Sequence, residues 1–104
     1  MRLSLHIPVD HPSFAGHFPG RPLLPGVVLL AEVLEAALAE PALAAAIGPS
    51  PRIASAKFQA PVTPGTDLEL RFQAGDGRLR FEVWRADKLA ASGRFEAAVR
   101  DTHP

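Results

Sequence analysis

Hydrophobic and polar residues alternate along several stretches in the second half of the chain, which is typical of half-buried β-strands. In the clearest stretch, Leu68, Leu70 and Phe72 lie between charged or polar neighbours. Short turn segments separate the stretches, as in hairpins that join antiparallel strands: 61–66, 75–77 and 87–88. The strands predicted in this half are 52–60, 67–74, 78–86 and 89–99.

The first half of the chain predicts one strand, one long helix and one short helix. Alternation at 3–9 predicts a strand at an edge or an end of a sheet, because it contains Pro8. Residues 26–39 are apolar almost throughout, so they predict a helix that is buried on most sides. A short alanine-rich helix is expected at 41–47. Between the strand and the long helix, residues 10–26 hold so many glycines and prolines that they predict a fixed irregular path.

The order of these elements predicts an α+β domain. An antiparallel sheet has one face to cover, and this chain has one long apolar helix to cover it. A curved antiparallel sheet wrapped around one central helix is a natural solution. With 104 residues, the chain suits a single domain over 1–104, and residues 100–104 are expected to be a loose tail.

Composition argues against several other classes of protein. The chain has 11 basic and 11 acidic residues, so its bulk charge does not indicate binding to nucleic acid or an anionic membrane. It has no cysteine, and its four histidines are scattered, so no metal site is expected. The longest apolar stretch is too short to span a bilayer, and the N-terminus does not resemble a signal peptide. We therefore expect a cytoplasmic protein without a cofactor.

The irregular segment carries the most specific motif in the chain. HPSFAGHFPGRPLLPGV at residues 11–27 resembles the signature of bacterial 3-hydroxyacyl-carrier-protein dehydratases, the FabA/FabZ family. AKFQAPVTPGTDL at 56–68 is similar to the corner between two strands in the same family. The resemblance covers residues 10–99 and implies a hotdog fold, which agrees with the order of elements.

This resemblance implies dehydration of a 3-hydroxyacyl chain linked through phosphopantetheine to an acyl carrier protein, in fatty-acid or polyene-type biosynthesis. The reaction removes a proton from C2, expels hydroxide from C3 and places charge on the thioester oxygen. The family implies the proton transfer for His17, and histidine suits it because its ordinary pKa lies near working pH. Gly26 matches the family's backbone donor to the thioester oxygen. The other predicted substrate-binding residues are Phe18, Leu23, Pro25 and Val27.

The sequence departs from the family at the general acid. The family's carboxylic acid lies fourteen residues after the histidine, which here is Ala31. Glu32 is rotated by about 100° from that position, and Glu35 lies about 6 Å further along the helix. Glu32 is our predicted second catalytic residue and Glu35 the alternative. Either could instead belong to the solvated edge of the helix.

Two further functions stay open at this point. In a hotdog acyl thioesterase, a helix carboxylate near a glycine-led helix start would activate water, although the G-H-F-P-G signature favours a dehydratase. A non-catalytic, dehydratase-like acyl-binding subunit would pair with a related chain that supplies the missing carboxylate. The family also implies active sites at a dimer interface, so we expect a homodimer or a higher oligomer of dimers. His6 and His11 are expected to be loop or surface residues.

Overall fold

The computed structural model describes residues 1–12 and 23–98, in which every predicted element is present. The element ends differ from the predicted ones by at most three residues. In chain order the elements are β1 (Arg2–His6), α1 (Gly26–Leu38), α2 (Pro41–Ile47), β2 (Arg52–Phe58), β3 (Asp67–Gly75), β4 (Arg78–Arg85) and β5 (Lys88–Glu96). His17, Phe18 and the expected tail at 100–104 lie outside the described residues. The single domain over 1–104 stays a prediction.

The five strands form one antiparallel sheet in the order β1-β3-β4-β5-β2. β3, β4 and β5 are neighbours along the chain and in space, since each is joined to the next by a short turn. Gly77, in the first of these turns, has φ of 66°, which glycine adopts without the steric cost of a Cβ. The two strands that come first in chain order, β1 and β2, form opposite edges of the sheet in the part of the chain that the structure describes.

The hydrophobic core lies between one face of the sheet and the two helices. Every second residue is buried from Leu68 to Phe72 in β3 and from Leu79 to Val83 in β4, as the alternation predicts. The rings of Phe81 and Phe95 stack on neighbouring strands with their centroids 4.8 Å apart. From the helices, Leu29, Val33 and Ile47 are buried against this face. The predicted α+β arrangement is confirmed.

One side of α1 is more exposed than its sequence predicts. Val33 and Ala37 are fully buried, but Val27 is 73% exposed. Ala31 and Glu35 follow Val27 at intervals of four residues and are also exposed, so the three form a stripe along the helix. Apart from Leu38, the other residues of α1 are buried or half-buried, so the predicted burial on most sides fails along this stripe. No helix within residues 1–12 and 23–98 is long and apolar enough to cross a bilayer.

The edge strand β2 is exposed along its whole length and, within residues 1–12 and 23–98, pairs with β5 alone. Ile53 is 48% exposed and Phe58 is 49% exposed. The strand lies close to β5 because residue 93 has no side chain: a Cβ there would meet the backbone oxygen of Ser55 and the ring of Phe81. Among the described residues, β2 thus combines two exposed apolar side chains with a backbone edge that no other strand covers.

Candidate active site

An apolar groove of about 530 Å³ begins where α1 begins. Its volume lies in the range of small-molecule sites. It runs between the start of the helix and the segment that follows β2. The residues that line it are Leu23, Leu24, Gly26, Leu29, Phe58, Gln59, Ala60, Pro61 and Val62. Two of the predicted substrate-binding residues, Leu23 and Gly26, are therefore brought together on this groove.

The first two amides of α1 are open to an external acceptor. Pro25 is the N-cap and makes no side-chain capping bond. Its carbonyl oxygen accepts from the N–H groups of Val28 and Leu29, each at 3.0 Å. Gly26 and Val27 have no such acceptor in residues 1–12 and 23–98. First-turn amides lack partners within the helix, and their partial positive charge favours an oxyanion.

The Phe58 ring packs directly against Gly26. A Cβ at residue 26 would lie 2.7 Å from the Cζ atom of Phe58, so any side chain there would displace the ring. The Leu24 N–H donates to the Val62 carbonyl at 2.8 Å, which ties the segment before α1 to the far wall of the groove. Phe58 was missed as a site residue in the sequence, because the chain pattern does not show which residue of β2 faces the helix start.

Glu32 is paired with His11, which the sequence did not predict as a site residue. Its Oε1 lies 2.9 Å from Nε2 of His11, and the two side chains are 29% and 16% exposed. The expectation that His11 is a loop residue is correct, but most of its side chain is enclosed. Glu35, the alternative acid, is exposed and makes no ion pair within the described part of the chain.

The carboxyls with shifted pKa values lie on the other face of the sheet, away from the groove. A hydrogen bond from Arg71, at 2.6 Å, lowers the pKa of Glu69 below its usual 4.5. A hydrogen bond from Arg52, with the nearby charge of Arg94, lowers the pKa of Glu96 in the same way. Both acids alternate with core residues along their strands. They stabilise the outer surface of the sheet and do not line the site.

Three of the other predicted site residues, Pro25, Val27 and Glu32, are described by the structure but do not line the groove. Pro25 caps α1, and Val27 faces away from the groove with 73% of its surface exposed. His17 and Phe18 lie outside the described residues, so their roles stay predictions. The catalytic role of Glu32 is also a prediction. The structure shows that its carboxyl is paired with His11.

Comparison with known proteins shows which family the chain belongs to. A family model described as ApeI-like, ApeI dehydratase, matches residues 1–94. The chain belongs to the ApeI-like dehydratase family. This confirms the predicted relationship to the dehydratases and the predicted class of enzyme.

Individual relatives of this ApeI-like chain agree with the family. The 3-hydroxyacyl-[acyl-carrier-protein] dehydratase FabZ of Acetivibrio thermocellus is 31% identical, over 94% of this chain and 73% of its own length. A chain of the dehydratase heterocomplex ApeI:P from Xenorhabdus doucetiae superimposes with a TM-score of 0.76 at 32% identity, covering 91% of this chain and 83% of that one. The fluoroacetyl-CoA-specific thioesterase FlK, as its F36A mutant, gives 0.61 at 15% identity, covering 92% and 85%, which shows a shared fold alone. The predicted hotdog fold is confirmed.

Proposed function

We propose that this chain converts 3-hydroxyacyl thioesters of an acyl carrier protein into trans-2-enoyl thioesters. The observation that carries the proposal is the apolar groove that begins at the open amide of Gly26, in a member of a dehydratase family. An aliphatic chain suits the apolar lining of the groove. The thioester oxygen, which gains negative charge during proton removal, suits the amide at the helix start.

The proposed reaction uses three groups. His17 takes the C2 proton, and the electrons of the C–H bond move into the enolate, whose oxygen is held by the Gly26 N–H. The enolate then collapses to form the C2–C3 double bond and breaks the C3–O bond. Glu32 gives its proton to the departing hydroxyl, which leaves as water. The proton on His17 returns to Glu32 through solvent, so that the protein ends the cycle unchanged.

A two-chain site is part of the proposal. The exposed stripe of α1, with Val27 and Ala31, and the exposed strand β2, with Ile53 and Phe58, carry apolar side chains that a second hotdog chain would cover. The heterocomplex of the ApeI:P relative supports pairing with another chain. We propose a homodimer or a higher oligomer of dimers, with pairing to a related subunit as the alternative. The cytoplasmic location stays a prediction.

The test is turnover of a 3-hydroxyoctanoyl thioester by the purified chain, followed by the absorbance of the conjugated enoyl product. We expect His17→Ala to lower kcat by about 10² to 10⁴-fold, the usual loss when an acid–base group is removed. His6→Ala is the control, because His6 lies on β1 and is exposed. Wild-type turnover in His17→Ala would contradict the proposal.

The same assay separates the alternatives. Release of free thiol, measured with a thiol reagent, would indicate a thioesterase instead. A chain that is inactive alone and active with a copurifying hotdog chain would indicate the subunit role. Light scattering on the active sample gives the oligomeric state.

A further inference from the structure

We infer that His11 is a positioning residue that holds the carboxyl of Glu32 for acid catalysis. The inference rests on the proposed function, in which Glu32 gives its proton to the leaving hydroxyl. It adds a residue whose imidazole acts through Glu32 and does not itself contact the substrate. The pair joins two parts of the chain 21 residues apart, the loop after β1 and the second turn of α1.

The Glu32 carboxyl needs such a partner because its own side chain is flexible. A glutamate has several rotatable bonds, and a general acid must lie within hydrogen-bond reach of the group it protonates. Three glutamates lie on or just after α1: Glu32, Glu35 and Glu40. Across residues 1–12 and 23–98, Glu32 is the one among them whose carboxyl has a hydrogen-bond partner. Its position is therefore the most restricted of the three.

The imidazole is supported by a fixed segment. The Ile7 N–H donates to the Thr66 carbonyl at 2.9 Å, and the Ile7 carbonyl accepts from Gly65 at 2.8 Å. Ile7 is also 1% exposed, so this part of the chain is anchored in the core. The His11 N–H then closes a turn onto the Pro8 carbonyl at 3.2 Å. A side chain held by its surroundings is what a positioning role requires.

An imidazole also suits a carboxyl that loses and regains a proton. A ring nitrogen donates to a carboxylate in one tautomer and accepts from a carboxylic acid in the other. The 2.9 Å contact between His11 and Glu32 can therefore persist in both states of the acid.

The test compares two substitutions of similar length. Glutamine in His11→Gln keeps a donor and an acceptor near the position of Nε2, whereas methionine in His11→Met fills similar space without either. With the 3-hydroxyoctanoyl thioester as probe, we expect His11→Met to lower kcat by about 10²-fold, as when a catalytic group is misplaced by about 1 Å. We expect a smaller loss in His11→Gln and little change in KM for both. His6→Met is the matched control and should keep wild-type kcat, because the His6 pair is exposed.

A second arm repeats both substitutions in the Glu32→Gln background. If His11 acts through the acid, neither substitution should lower the residual rate further, because no acid remains to be held. Equal losses in the two backgrounds would show a merely structural role and overturn the inference. Equal kcat in His11→Gln and His11→Met would also overturn it, with circular dichroism confirming that both variants are folded.

The inference and the proposed function fail in different ways. If the wild-type chain, with any copurifying subunit, does not dehydrate the probe, the proposed function fails and the inference falls with it. If the wild type is active and Glu32→Gln matches it, Glu32 is not the acid. The inference then fails while the roles of His17 and Gly26 stand.

Discussion

Two histidine–carboxylate pairs in this molecule are alike in chemistry and different in surroundings. His6 Nδ1 lies 2.6 Å from Asp67 Oδ1, with 58% and 88% of the two side chains exposed. His11 Nε2 lies 2.9 Å from Glu32 Oε1, with 16% and 29% exposed. The shorter contact is the weaker constraint, because water competes with exposed pairs and salt screens them. Exposure, more than distance, identifies the pair that can hold a functional group in place.

The glycines also differ in how closely other atoms surround them. A Cβ at Gly26 would meet the Phe58 ring, and one at Gly93 would meet Ser55 and Phe81. A Cβ at Gly75 would have no heavy atom within 4 Å apart from its neighbours in the chain. Enclosed positions therefore restrict the choice of residue, and open positions of the same type do not. The first three predictions below compare an enclosed position with an open one, and the fourth compares a paired carboxyl with one in a turn.

The largest effect is expected on activity, from Gly26→Ala compared with Gly75→Ala. The new methyl group would displace the Phe58 ring and narrow the groove beside the open amides. Turnover of the 3-hydroxyacyl thioester should fall by about 10²-fold. Stability should change by less than about 1 kcal/mol, since alanine favours a helix and the ring is at the end of a movable side chain. Equal turnover in the two variants would contradict this contrast.

Gly93→Ala should destabilise the fold, whereas Gly75→Ala should not. At residue 93 the methyl group would press on the backbone of β2 as well as on Phe81, and backbone cannot move aside as a side chain can. We expect the free energy of unfolding in urea to fall by about 1–3 kcal/mol, the usual cost of overpacking. For Gly75→Ala we expect a change of no more than about 0.5 kcal/mol. Similar midpoints for both variants would show that β2 adjusts freely against β5.

A smaller loss of stability is expected when each histidine pair is broken. His11→Ala leaves a mostly enclosed carboxyl without its partner and should cost about 1–2 kcal/mol. His6→Ala breaks an exposed pair and should cost about 0–1 kcal/mol. Thermal unfolding at neutral pH measures both. If His6→Ala cost as much as His11→Ala, exposure would not be what separates the pairs.

The smallest effect concerns stability in acid and the carboxyl of Glu96. The hydrogen bond from Arg52 lowers the pKa of Glu96 in the folded state, so the unfolded chain binds more protons at mildly acidic pH. This contribution is present above the unfolded pKa, near 4.5, and is lost as the pH falls through the folded value. In Glu96→Gln, the melting temperature should therefore fall less steeply with pH below about 4.5. Asp76→Asn, in the β3–β4 turn, is the control and should keep the wild-type slope.

The elements of the fold could be predicted closely because their signals are local. Alternation along β3 and β4, and the run of apolar residues in α1, depend on neighbours a few positions away. The family motif is equally local, and it led to the family that the comparison shows. The motif also pointed to Leu23 and Gly26, which line the groove, although their role in binding stays a prediction. Phe58 and His11 were not predicted as site residues, because their roles come from contacts with residues 32 and 21 positions away.

The sequence by itself determined which segments are strands and helices, the α+β class and the relationship to the dehydratases. The tertiary structure alone decided that β1 lies beside β3 and β2 beside β5, and that one side of α1 is open. It also decided which glutamate has a partner. Hydrophobic periodicity shows which side of an element is buried without showing what covers it, and a contact between distant residues depends on how the whole sheet is ordered.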